Sequence, residues 1–457
     1  MPPPTGLLTR SRVGAAGRRN PLSRYGELFR RRAFPTFLSA GALQYAAPST
    51  VLVVLLYSVA FAYPAGERTT YGALALAFLG LSSTLPTLAG AFFSGALADR
   101  YDRSTLMKTV NLGSLAATAA LVVDLVFLPA GRIPLPGPAG FYLPVWVLLL
   151  YPGWAAIAAT TTLFRPSFNA SVPRFVDPAE LPTANGAIYS IAATVSALGS
   201  VSVGGLLTVA APAYALGFAF ALFFAAQVAL AILPTDLSVR RRAPKRSVLR
   251  DAADGYSYLV RKRGLFEITL AALVVNFLSA VALVELALYV ASWLNLTQGI
   301  WYGAMTGAAT AGVAVGFLLA PRFRFEAHAG RTIIVLMLAM GLALLCLGLV
   351  RSIWLAIPVV FVYGLMPGMI TTVFLSTIQA TVPDEMMGRV FSADEVGSLA
   401  LVPAGQWTGG LLTLAVGVQG TYLSAGGAIV AFGLVMATSF GALRQLGYRP
   451  SEPVPGA

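Results

Sequence analysis

The chain reads as an all-α membrane protein with twelve transmembrane helices in two six-helix bundles. Three observations predict this: apolar residues fall in uninterrupted blocks, basic residues crowd into alternate connections between the blocks, and the two halves of the chain repeat each other. A helix needs ~20 apolar residues to cross the ~30 Å hydrocarbon core, and the blocks have that length. Of 457 residues, 57% are hydrophobic and 11% charged. An ordinary soluble domain carries roughly a quarter charged residues, so a water-soluble fold of this size could not cover itself.

The blocks predict span 1 at Phe34 to Phe61, span 2 at Tyr71 to Ala98, span 3 at Thr109 to Leu128, span 4 at Leu143 to Phe164, span 5 at Ala184 to Ala210 and span 6 at Ala213 to Leu233. Span 7 follows at Leu265 to Trp293, span 8 at Ile300 to Ala320, span 9 at Thr332 to Val350, span 10 at Ile353 to Ile378, span 11 at Val390 to Val416 and span 12 at Thr421 to Leu443. None of these blocks contains Lys or Arg, as expected where a central charge costs a few kcal/mol.

An even number of spans puts both termini on one side. That side holds 28 of the 31 Lys and Arg, leaving Arg68, Arg132 and Arg351 on the other. A basic excess marks the cytoplasmic side, so both termini are expected inside a cell membrane. The expected organisation is a basic cytoplasmic tail over 1–33, a bundle over 34–234, a cytoplasmic linker over 235–264, a second bundle over 265–444 and a short cytoplasmic tail over 445–457. The first 32 residues, with eight Arg and one Glu, also weakly resemble an organellar transit peptide, but their charge adds to the same excess as the other loops. A cleaved signal peptide is not expected, because the first apolar run is about twice as long as an h-region. In the linker, Arg240, Arg241, Arg242, Lys245 and Arg246 precede an amphipathic stretch from Val248 to Leu259. That basic run either binds anionic lipid headgroups or stays solvated.

The net charge of +13 does not imply nucleic acid, which would require basic residues clustered on a polar folded face. One Cys and one His exclude a disulfide framework and leave no donor set for zinc or haem. Cys346 lies in an apolar run and is expected to pack there, while His328 lies in a polar connection and is expected to be solvated. The spans carry neither clustered carboxylates nor a nucleophile with a base, which argues against an enzyme. No Gly-x-x-x-x-Gly-Lys loop is present to bind nucleotide.

The repeat is visible in two strings. Thr161-Thr162-Leu163-Phe164, five residues, then Ala170-Ser171-Val172-Pro173 matches Thr371-Thr372-Val373-Phe374, five residues, then Ala380-Thr381-Val382-Pro383. Gly204-Gly205-Leu206-Leu207-Thr208 in span 5 matches Gly409-Gly410-Leu411-Leu412-Thr413 in span 11. Six-span halves repeated in parallel suit a protein that rocks about a central site.

Between spans 2 and 3 the chain reads Gly95-Ala96-Leu97-Ala98-Asp99-Arg100-Tyr101-Asp102-Arg103. This resembles the signature loop of the major facilitator superfamily, Gly-x-Leu-x-Asp-Arg-x-Gly-Arg, with Asp102 in place of the usual Gly. The resemblance implies the major facilitator fold and a cytoplasmic gate at Gly95, Asp99, Arg100 and Arg103. Gly95 permits close helix approach, and Asp99 can accept hydrogen bonds at the start of span 11 and pair with an Arg. The plainer reading is a charged loop that only sets orientation. The equivalent stretch Gly316 to Arg324 keeps Gly316, Leu318 and Arg324 but has no Asp, so one half is expected to dominate closure.

Arg165-Pro166 through Val172-Pro173, with Glu180-Leu181 and Ala184-Asn185, resembles the span 4–5 connection of the enterobactin-exporter and macrolide-efflux branch. So does Ala380 to Glu385 with Gly388-Arg389-Val390-Phe391, which adds Arg165, Gly388 and Arg389 to the gate. Similarity to that branch implies a secondary active transporter without a cofactor, driven by the proton gradient. It would export a medium-sized amphipathic compound, such as a drug, macrolide or siderophore, by alternating access. Its partners would be the lipid bilayer, a small-molecule substrate and protons, and it would work as a monomer. Ser200 and Val201 stand where antiporters carry Gly-Pro before a Gly-Gly pair, which weakens the antiporter reading. Import, or lipid or metabolite transport on the same fold, stays open, as do a channel and a non-transporting sensor.

Acidic residues inside spans are the places to look for proton coupling, since low dielectric favours the neutral form. Glu285 in span 7 is the best placed, and Asp124 lies nearer the outer end of span 3. Asp394 and Glu395 are expected about one turn into span 11, facing the cytoplasmic interface. Candidates for a substrate cavity are Gln44, Tyr45, Trp154, Asn276, Phe277 and Tyr363, whose amides would bind polar groups and whose rings would take apolar surface. Gln227 and Gln406 are weaker candidates.

Overall fold

The computed structural model describes residues 33–90, 102–127, 131–136, 140–169, 171–176, 181–233, 248–320, 323, 325 and 328–447. The basic run at 240–246 and the gate residues Gly95, Asp99 and Arg100 lie outside the described residues. Twelve passages form two bundles of six, joined through a linker helix at Val248–Arg261.

Eleven stretches are long and apolar enough to cross a bilayer, and the last, Leu401–Ser439, contains two passages. Its 39 residues would extend about 58 Å as one rod, twice the thickness of the hydrocarbon core. Gly417 breaks it with φ 74° and ψ 172°, a conformation that L side chains rarely adopt. The Thr413 and Thr421 hydroxyls then lie 2.8 Å apart, although eight residues along a straight helix span about 12 Å. The chain therefore reverses at Gly417, and the predicted span 11 and span 12 are both present.

Helix ends differ from the hydropathy blocks where helix continues into polar sequence. Span 4 runs Val145–Asn169 and carries an exposed Arg165 in its last turn. The span 11 helix starts at Asp384, just after Pro383 and six residues before its apolar block. Asp394 therefore sits nearly three turns from the start of the helix, while remaining about one turn past Val390, where the apolar block begins. Hydropathy locates the part of a helix that meets lipid, whereas backbone hydrogen bonding continues into the polar turn beyond it. Cys346 also departs from expectation: it is exposed on the outer surface of span 9, Ala329–Leu349. His328 is exposed at the start of that helix, as predicted.

The connection between spans 3 and 4 holds a two-stranded antiparallel ribbon that hydropathy does not reveal, β1 at Arg132–Pro134 and β2 at Tyr142–Pro144. It is fastened to the connection between spans 1 and 2. The Tyr142 hydroxyl donates to Glu67 at 3.0 Å, the Tyr63 hydroxyl donates to the Tyr142 carbonyl at 3.0 Å, and the Arg132 guanidinium lies 4.5 Å from the Tyr142 ring centre.

The two bundles meet along two equivalent seams, and both use the repeated Gly-Gly-Leu-Leu-Thr string. In span 5, Leu181–Val209, Gly204 packs against Gly303 of span 8, Gly299–Leu319. A Cβ on Gly204 would stand 2.6 Å from the Gly303 Cα, so neither position has room for a side chain. The Thr208 hydroxyl caps span 8 by accepting the Ile300 N–H at 2.7 Å. In span 11, Gly410 packs against Ala73 and Ala77 of span 2, Arg68–Gly90. Small residues at such seams let backbones approach closely, which substitutes for the missing hydrophobic drive between helices in lipid.

Candidate functional site

Span 7, Arg263–Trp293, is interrupted at Glu285. Helix Arg263–Val284 ends there, three α-helical residues follow, and Tyr289–Trp293 forms a π turn. Such irregular helix inside a membrane is tolerated only where protein surrounds it, and it marks functional positions. Glu285 is 0% exposed, and neither carboxylate oxygen has a hydrogen-bond partner among the described residues. Thr413 of span 11 lies alongside it. Tyr422 of span 12 donates to the Ala282 carbonyl at 3.0 Å, just before the break, and its ring lies 4.9 Å from that of Tyr289. Tyr289 in turn donates to the Leu347 carbonyl at 2.9 Å.

Asp124 of span 3 is 8% exposed, and both its carboxylate oxygens likewise lack a partner among the described residues. Gln44 of span 1, Ala33–Ala60, is 1% exposed with neither amide atom paired among those residues. Gln227 is satisfied inside the first bundle, accepting from Asn111 at 2.7 Å. Gln406 packs against Gly80 across the span 2–span 11 seam.

Asn276 opens onto a cavity of about 120 Å³ in the second bundle, lined from spans 7, 10 and 11 by Val275, Ile370, Thr371, Phe374 and Asp394 among others. The Asn276 amide donates to Ser398 at 3.0 Å, which fixes its orientation. Pro367 also lines the cavity from within span 10, Ile353–Thr381, where a proline removes a backbone hydrogen bond. Phe277, one residue on, is partly buried and packs against the core. Trp154 is partly buried and also packs against the core. Tyr363 is 2% exposed, inside the second bundle beside Ser279.

Tyr45 belongs to an aromatic run that crosses between the bundles. Its hydroxyl donates to Asn169 at 3.3 Å, the Arg165 guanidinium lies 5.6 Å from its ring centre, and its ring is 6.2 Å from Tyr189. Tyr189 of span 5 stacks at 6.4 Å on Phe317 of span 8. At the end that carries the linker, Arg389 pairs with Asp254 of the linker helix at 3.5 Å and meets the Met386 sulfur at 3.6 Å. Gly388 lies in the second turn of the span 11 helix. Arg103 is the first residue of the span 3 helix, Arg103–Phe127. Asp102, in place of the usual Gly, caps this helix by accepting the Thr105 N–H at 3.0 Å, the role for which Asp is favoured.

The opposite end carries contacts that the sequence does not signal. Tyr57 of span 1 donates to the Thr297 carbonyl at 2.9 Å and stacks on Tyr302 of span 8, joining the two bundles. Phe78 of span 2 meets Trp407 of span 11 at 5.2 Å. Aromatic residues in apolar blocks carry no mark that separates such a contact from ordinary packing. Tyr57 and Tyr302 stand out only when their helices lie side by side.

Two repeated bundles thus touch along seams of small residues, with a buried carboxylate at a broken helix. Residues 47–453 match a family described as transmembrane secretion effectors. The chain belongs to that family. It is a transporter of the major facilitator type rather than an enzyme. An uncharacterised major-facilitator-type transporter of Bacillus subtilis is 26% identical over 374 residues, covering 79% of this chain and 84% of that one. An enterobactin exporter of Citrobacter koseri is 25% identical over 389 residues, covering 82% and 86%. The structure of a D-xylose–proton symporter superposes with a TM-score of 0.66 at 13% identity, covering 91% of this chain and 99% of that one. That likeness establishes the twelve-helix fold shared by this family member.

Proposed function

We propose that this chain exports a medium-sized amphipathic compound across the cell membrane in exchange for protons, with Glu285 as the proton-carrying group. The observation that carries the reading is a fully buried carboxyl at the break in span 7, with no cation to pair it among the described residues and the Thr413 hydroxyl alongside. A charged carboxylate there, with no cation beside it among the described residues and only the Thr413 hydroxyl to hand, costs several kcal/mol, whereas the neutral acid costs far less. A movement that admits water reverses that preference, so proton occupancy and bundle orientation bias each other. Asp124, whose carboxylate oxygens have no hydrogen-bond partner among the described residues, is the secondary proton site.

Export is the direction suggested by similarity to the enterobactin exporter. The termini and linker lie in the cytoplasm on the basic-residue count, and the protein acts as a monomer. Arg103, Arg165 and Arg389, together with Gly95, Asp99, Arg100 and Gly388, form the cytoplasmic gate. Asn276 and Tyr45 contribute to the substrate pathway, along with Gln44, Trp154, Phe277 and Tyr363 once the bundles separate.

The test is transport into proteoliposomes with an imposed pH gradient, using a siderophore, a macrolide and a lipophilic cation chosen by thermal stabilisation of the pure protein. Accumulation that collapses with the gradient supports proton exchange, and accumulation indifferent to the gradient overturns it.

A further inference from the structure

Every hydrogen bond that crosses between the two bundles among the described residues ends on one short stretch of backbone. Tyr57 of span 1 donates to the Thr297 carbonyl at 2.9 Å, and Thr208 of span 5 accepts the Ile300 N–H at 2.7 Å. The connection between spans 7 and 8 is thus held from the first bundle at 297 and at 300, once through its acceptor and once through its donor. Between these points Gly299 presses on span 5 so closely that a Cβ there would run into the Leu207 side chain. Tyr57 also stacks on Tyr302, with ring centres 6.2 Å apart.

The Ile300 bond is a helix cap supplied by the other bundle. The first N–H groups of a helix have no partner within it, and Gln298, at the cap position of span 8, makes no side-chain cap. The Thr208 hydroxyl fills that place and is aimed by its own helix. Its hydrogen goes to the Gly204 carbonyl at 3.0 Å, which turns a lone pair towards Ile300. The repeat does not reproduce the device. Thr413, which matches Thr208, instead pairs with Thr421 of its own bundle at 2.8 Å, because the chain reverses at Gly417 between them.

The gripped stretch is itself fixed to the second bundle. Asn295 adopts a left-handed conformation with φ 55°, which Asn tolerates, and the Leu296 N–H donates back to the Val290 carbonyl at 3.0 Å. Just before it, the Tyr289 hydroxyl and the Trp293 indole both donate to the Val350 carbonyl, at 3.2 and 2.8 Å. A pull on 297–300 is therefore a pull on the second bundle. Thr208, Thr297 and Gln298 are exposed, so water replaces both bonds once the bundles part.

We propose that Tyr57 and Thr208 form a latch on the 297–300 backbone that holds the side opposite the linker shut, and that both bonds break each time the bundles open there. Because water takes over the broken bonds, the latch weights the closed orientation without locking it. The inference needs the bundles to part, but neither the proton-carrying role of Glu285 nor any particular cargo.

The experiment uses the full chain in lipid nanodiscs, with Cys346→Ser removing the native thiol and Val53→Cys placing one behind the latch. Val53 is buried one turn inward of Tyr57, so a water-soluble maleimide reaches it only when this side opens, and its rate of modification scales with the open fraction. Tyr57→Phe and Thr208→Val each delete one bond and are expected to raise that rate roughly two- to tenfold, with the two together raising it further than either alone. Thr208→Ser keeps the hydroxyl and should be modified at the parent rate. Unchanged rates in both Tyr57→Phe and Thr208→Val overturn the latch. Equal acceleration in Thr208→Ser and Thr208→Val also overturns it, since the hydroxyl would then not be what holds the seam.

Discussion

Gly204 and Gly303 face each other across the two bundles with no space for a Cβ on either side, since one added to Gly204 would stand 2.6 Å from the Gly303 Cα. The obstructing atoms are backbone, so a side chain can fit only if spans 5 and 8 move apart. Gly303→Ala should therefore separate the bundles along this seam and disturb the Thr208 cap on Ile300. The expected result is a lower melting temperature, from a loss of stability of the roughly 1–3 kcal/mol typical of overpacking. Distance measurements between spin labels on the ends of spans 5 and 8 should show the seam widened. Gly217, which meets nothing within 4 Å, should accept Ala without either change.

Glu285→Gln keeps the size and removes the titrating proton. Transport that depends on a pH gradient should fall at least tenfold, while exchange of substrate between two equal pools should survive, because exchange needs no net proton movement. The same two assays on Asp124→Asn separate the candidates. If Asp124→Asn abolishes gradient dependence and Glu285→Gln does not, the carrier is in the first bundle.

Much of the fold is legible in the amino-acid sequence, because bilayer thickness and the cost of buried charge act on long stretches that leave plain marks in it. The spans, the six-and-six division and the repeat all belong to this class, and the repeated strings line corresponding seams with the register shifted by one residue: Gly204 meets span 8, whereas across the other seam Gly410, not the aligned Gly409, meets span 2. Glu285 is legible for the same reason, since an acid inside an apolar block is conspicuous. Its surroundings are not. Thr413 and Tyr422 reach it from helices more than 120 residues away, and no local pattern encodes that meeting. The start of the span 11 helix at Asp384 escapes as well, because hydropathy does not report where a helix continues into polar sequence.

Asp102 caps span 3 through the Thr105 N–H, so its replacement by Ala should cost about 1 kcal/mol, and replacement by Gly only a few tenths. Thermal unfolding of the two variants in detergent should rank Asp102→Ala as the less stable. An equal loss for both would show that the carboxylate acts through a partner other than the helix end.

The linker helix offers a contrast between charge and shape at one place. Arg389 and Asp254 form an ion pair at 3.5 Å, with side chains 32% and 44% exposed. Pairs this open to solvent contribute about 0.2–1 kcal/mol, and salt screens them further. Gly255, the neighbouring residue, is different. A Cβ there would run into the Arg389 backbone carbonyl and approach the Ala393 side chain, and backbone cannot yield as a flexible side chain can. Asp254→Asn should therefore leave melting temperature and transport close to wild type, while Gly255→Val should lift the linker helix from span 11. Hydrogen exchange across Val248–Arg261 reads the difference: faster exchange in Gly255→Val alone means that shape holds the linker in place. Comparable acceleration in Asp254→Asn would instead give the ion pair a larger share than its exposure allows.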